Sequence, residues 1–82
     1  MSKTGHRVNM NLLGPEGNAL SIVGSVTHLL RRVDRQGGFE FAKDYKARAL
    51  KGDYENVLKV TCEFIDLVDT SGEYTELLAD FY

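Results

Sequence analysis

Between residues 7 and 33 the apolar pattern changes period once, and that change dictates a strand followed directly by a helix. In Arg7-Val8-Asn9-Met10-Asn11-Leu12-Leu13, the side chains of Val8, Met10 and Leu12 point one way and those of Arg7, Asn9 and Asn11 the other. That is the period-two signature of a half-buried strand over 7–13. Gly14-Pro15-Glu16-Gly17 ends it, because proline cannot donate to a ladder and glycine permits tight turns. From Ala19 the spacing becomes helical: Ala19, Ile22, Val23, Val26, Leu29, Leu30 and Val33 form one apolar stripe. No other segment alternates as clearly, so the chain reads as α+β with one N-terminal strand whose edges need partners.

The first helix is expected to start between Pro15 and Asn18, with Pro15 suited to a first helical position and Asn18 a competent cap. Gly24 interrupts the stripe at a cost of about 0.8–1.0 kcal/mol relative to alanine, which suggests that another backbone packs closely there. Arg31, Arg32 and Arg35 cluster where cations favour the negative end of the helix dipole, and Gly37-Gly38 stops the helix. A second helix is expected over 39–50, with Phe41, Ala42, Tyr45, Ala49 and Leu50 inward and Lys43, Asp44, Lys46 and Arg48 outward. Gly52 closes it, and Asp53 caps a third helix that buries Tyr54, Val57, Leu58, Thr61, Cys62 and Ile65 and ends between Phe64 and Asp66. Residues 66–70 suit either an extension of that helix or a short strand beside 7–13. After a turn at Ser71-Gly72, residues 73–82 suit a terminal helix or an extended arm, and the closing Phe81-Tyr82 suggests docking.

The 82 residues are read as one domain, with a flexible start over 1–6 and an acidic, aromatic-ended tail over 70–82. A core this small is marginal, and such chains are commonly completed by disulfides, metals or partner subunits. Cys62 is the only cysteine, and His6 and His28 lie far apart in sequence, which argues against a disulfide or a structural zinc site. Homo-oligomerisation is therefore the expected route to a complete fold. A lone cysteine, the lack of a long apolar run and a polar start point to the cytoplasm, with no membrane partner. Residues 1–51 carry nine Lys/Arg against four Asp/Glu, whereas residues 52–82 carry one against eight. That division either steers a ligand or orients subunits, or is neutralised within the fold.

Catalytic groupings are missing. Neither histidine has an acid or nucleophile at helical spacing, no carboxylates are paired for hydrolysis, and Cys62 falls on an apolar stripe as core filler. The chain is read as a non-enzyme without cofactor or metal. A pI of about 5.6 and the acidic tail argue against nucleic acid as a partner. Two helix starts remain as candidate ligand loops. Gly17 and Asn18 would present amides at a helix N-terminus, although the segment is neither a Walker loop nor a dinucleotide fingerprint. Tyr54 opens the third helix with a ring that suits stacking on a base or covering the core. Arg31, Arg32, Arg35, Lys43 and Lys46 are the cations for an anionic ligand, with guanidinium the better match for phosphate. At ~1.5 Å per residue, the arginines lie about 20 Å or more from Asn18 along the helix, so one small ligand meets both only at a site shared by antiparallel subunits.

The segment Val-Asn-Met-Asn-Leu-Leu-Gly-Pro-Glu-Gly-Asn-Ala-Leu-Ser-Ile-Val-Gly and the later Lys-Gly-Asp-Tyr-Glu-Asn-Val-Leu resemble a group of small tailed-bacteriophage proteins. The resemblance covers 8–65 and carries no site residues. It implies a phage accessory protein that acts by binding in the host cytoplasm. One such role is a homo-oligomeric sponge that sequesters a nucleotide-type host immune signal. Another is a protein-binding inhibitor or adaptor acting on a host factor.

Overall fold

The computed structural model describes residues 2–33 and 40–81. Strand β1 spans Arg7–Met10, and a 3-10 turn over Pro15–Gly17 leads into helix α1, Ala19–Val33. Helix α2 spans Glu40–Ala49, α3 Tyr54–Phe64, β2 Asp66–Asp69 and α4 Thr75–Ala79. The fold is α+β. β1 and β2 form a two-stranded parallel sheet, with Arg7 opposite Asp66 and Met10 opposite Asp69, and three helices make the crossover between them. Of the two expectations for residues 66–70, the strand beside β1 is the one observed.

β1 is shorter than the alternation suggests. Leu12 is buried as expected, yet it lies in the turn, because Gly14 N–H already bonds the Asn11 carbonyl and folds the chain away from the ladder. Asn18 ends the 3-10 turn and caps α1, its Oδ1 accepting from Leu20 N–H at 2.8 Å. Ile22, Val23, Val26 and Leu30 carry the buried face of α1, whereas Val33 at its end is exposed. Gly24 corrects an expectation: an added Cβ there meets nothing within 4 Å, so no backbone packs against it. Gly37-Gly38 and Arg35 lie outside the described residues.

Tyr45 is the centre of the core. It is fully buried, its hydroxyl shares a 2.8 Å hydrogen bond with Thr61 Oγ1, and its ring meets Phe64 edge-on at 5.6 Å. Burial pushes its pKa up to about 12 despite the Thr61 bond. Ile22, Leu30, Leu58 and Phe64 are equally buried, each contributing roughly 1.5–3 kcal/mol of apolar transfer. Cys62 is buried as expected. Asp53 caps α3 through Asn56 N–H, and Ile65 is extended, which ends the helix at Phe64. Leu50 departs from its inward reading because it falls one residue beyond α2 and is 48% exposed. Arg48, expected outward, is half-buried and ion-paired with Glu63 of α3 and Asp44.

Residues 2–4 are not loose: Lys3 and Thr4 N–H groups bond the carbonyls of Glu63 and Phe64, and Thr4 Oγ1 bonds Phe64 O at 2.7 Å. At the other end, Phe81 packs against the core of its own chain. Among the described residues, no helix is long and apolar enough to cross a membrane.

Candidate functional site

Because β1 and β2 are parallel, the loops that leave them emerge on the same side, where open α/β sheets commonly hold ligands. Leu12, Pro15, Gly17, Asn18, Tyr54 and Tyr74 line a shallow cleft of about 560 Å³ there. Three of the expected ligand residues, Gly17, Asn18 and Tyr54, meet in it. Their polar groups are already used. Tyr54 Oη donates to the Gly17 carbonyl at 2.6 Å, and Asn18 Oδ1 holds Leu20 N–H. Burial raises the Tyr54 pKa, with Tyr74 and Asp69 adding to the effect. Its ring lies tilted against Tyr74 at 6.0 Å. A Cβ on Gly17 would fall 2.0 Å from the Leu12 carbonyl oxygen, so the glycine is required by close backbone approach.

Asp69, which the sequence reading passed over, ties the two loops together. It is 6% exposed and its carboxylate accepts from Leu12 N–H, Ser71 N–H, Ser71 Oγ and Tyr74 N–H at 2.7–3.1 Å. Burial alone would raise its pKa. The Ser71 hydroxyl and the Tyr74, Leu12 and Ser71 amides outweigh that and hold the carboxyl below the ordinary aspartate range. An aspartate at a strand end reads as a surface charge, and only the Ser71 two residues later hints at a local carboxylate turn.

A second cleft, of about 380 Å³, runs between α1 and α2. Helix α1 supplies Leu20, Gly24, Thr27, His28 and Arg31, while Lys46 and Leu50 face them from α2 and its end. The missing side chain at Gly24 leaves this groove open in its middle. Leu20 is 73% exposed, and Thr27 Oγ1 is buried with no hydrogen-bond partner among the described residues. Of the cations expected to meet an anionic ligand, Arg31 and Lys46 line this groove from different helices. Arg32 and Lys43 are exposed and do not line the groove, and Arg35 lies outside the described residues. The groove and the strand-end cleft share no residue. Among the described residues no three His, Cys, Asp or Glu gather as metal ligands.

Comparison of the chain with protein families, with characterised proteins and with solved structures finds no match.

Proposed function

We propose that this chain is a non-enzymatic accessory protein of the phage group it resembles, which forms a homo-oligomer in the host cytoplasm and sequesters a small anionic ligand of the nucleotide class. The observation that carries this reading is the α1–α2 groove, whose lining includes Arg31 and Lys46, the apolar Leu20 and Leu50, and Thr27 with its hydroxyl unpartnered among the described residues. A guanidinium grips phosphate through paired N–H donors, and an ammonium adds a point charge. The leucines offer apolar surface to a base, and the Thr27 hydroxyl supplies a directional contact. Sequestration asks for no bond-making, only for the cations and apolar surface that line the groove.

This reading differs from a site that joins Gly17, Asn18 and Tyr54 to the arginines across subunits. With Arg31 and Lys46 in one groove, a single subunit can meet the phosphate, and the glycine turn serves as scaffold. The alternative, a protein-binding inhibitor or adaptor acting on a host factor, is favoured by the exposure of Leu20 and Leu50 on the same face. Native mass spectrometry after bacterial expression separates the two. An oligomer carrying a co-purified nucleotide is the expected result, and a ligand-free monomer supports the inhibitor instead.

A further inference from the structure

The outer edge of β1 is an unfinished ladder, and its geometry specifies a partner. Asp66 N–H bonds the His6 carbonyl at 2.7 Å and Thr70 N–H bonds the Met10 carbonyl at 2.8 Å. In a parallel pair, alternate residues turn both backbone groups toward the neighbouring strand. His6, Val8 and Met10 therefore face β2, while Arg7 and Asn9 direct their N–H and C=O groups the other way. Arg7 and Asn9 are exposed, and their outward backbone groups have no hydrogen-bond partner among the described residues. The four residues of this edge include no proline, so each outward position keeps its N–H donor. The opposite edge differs, because Leu67 and Asp69 are buried and α4 packs against β2.

We infer that a second copy of this chain pairs antiparallel with β1 about a two-fold axis at Val8, joining the two sheets into one of four strands. The inference deepens the oligomeric part of the proposed function and rests on that part, not on the ligand. Antiparallel strands exchange both N–H···O=C bonds between residues whose groups face each other. With the axis at Val8, Arg7 lies opposite Asn9 of the partner subunit and Asn9 opposite the partner's Arg7. Every outward donor and acceptor of these two residues is then used on both copies. The register keeps the two arginines from facing each other directly, and like charges directly opposite are unfavourable. Val8 meets its counterpart as a β-branched cross-strand pair on the inner face, covering a side chain that is only partly buried in one subunit. A two-stranded sheet is marginal alone, so the gain falls where the fold most needs it. A symmetric, self-complementary edge favours a closed dimer of this chain over an unrelated strand.

The test uses the full chain without ligand. Sedimentation across micromolar concentrations should give twice the 9.2 kDa protomer mass. Hydrogen exchange should show the Arg7 and Asn9 amides protected in the dimer and progressively less so on dilution. Asn9→Pro removes one outward donor per copy, so dimer affinity should fall about a hundredfold, at roughly tenfold per lost bond, with the circular dichroism spectrum retained. A monomer at all concentrations overturns the inference. So does a dimer whose Arg7 and Asn9 amides exchange freely, a result that stands even if Asn9→Pro fails to fold. A dimer that binds no nucleotide leaves this interface intact and removes only the ligand reading, whereas a nucleotide-bound monomer does the reverse.

Discussion

The strand-end cleft and the α1–α2 groove both look like binding surfaces by shape, but they are lined differently: hydrogen bonds tie the first together, whereas exposed leucines and two cations line the second. At the strand ends, Tyr54 Oη, the Gly17 carbonyl, Asn18 Oδ1 and the Asp69 carboxylate satisfy one another or nearby amides. A ligand arriving there would have to replace bonds already made, each costly to leave unmade. The groove is lined by cations, by exposed leucines and by Thr27, whose buried hydroxyl has no partner among the described residues. Glycine marks both places for different reasons. Gly17 lets two backbone segments touch, whereas Gly24 leaves a space. A helix start whose polar groups are already bonded acts as scaffold rather than as a site.

Substitutions at the strand ends should therefore act on stability. Gly17→Val forces a side chain against the Leu12 carbonyl and should cost upwards of about 3 kcal/mol in urea denaturation. A negligible loss would mean that the turn relaxes freely and that this cleft is not fixed scaffold. Asp69→Asn comes next, at about 1–3 kcal/mol, because an amide N–H replaces an acceptor facing the Ser71 and Tyr74 donors. The sign of its pH dependence follows from the lowered pKa. A carboxyl that ionises more readily when folded contributes stability above the ordinary aspartate value, and loses it as pH falls through that value toward the depressed one. The parent should lose stability below about pH 4 more steeply than Asp69→Asn. Parallel pH profiles would dissolve the assigned link between the loops.

Smaller effects sharpen the contrast. Asn18→Ala removes the α1 cap and should cost about 0.5–2 kcal/mol, less than Gly17→Val. Gly24→Ala, at an exposed helical position with open space, should instead stabilise the chain by about 0.5–1 kcal/mol in the same denaturation series. Destabilisation there would mean that the groove is closed by something the glycine accommodates.

Much of this fold is legible in the residues. Alternation through Val8 and Met10 gives β1, the Ile22–Leu30 stripe gives the buried face of α1, and Asp53 announces α3. β2 was ambiguous because Asp66-Leu67-Val68-Asp69 is too short to separate a strand from a helix end, and the parallel pairing with β1 decides it. Leu50 fits the α2 period by position, yet the helix stops one residue before it. Gly24 carries the same sequence signal whether a helix packs tightly or leaves a gap. The cations are legible in the residues, but which of them share a groove is not: Arg31 and Lys46 line one together only through the packing of α1 on α2, which no local pattern encodes.

The division between scaffold and binding face is tested most directly by calorimetric titration of linear and cyclic nucleotides into three proteins. These are the parent, Arg31→Ala with Lys46→Ala, and Tyr54→Phe. The parent and Tyr54→Phe should bind the same nucleotide with similar affinity, the second on a fold weakened by about 1 kcal/mol for the lost bond to Gly17. The groove variant should lose that binding while remaining folded, as its circular dichroism spectrum reads. Binding that survives in the groove variant and disappears in Tyr54→Phe would contradict the assignment and return the ligand to the strand ends.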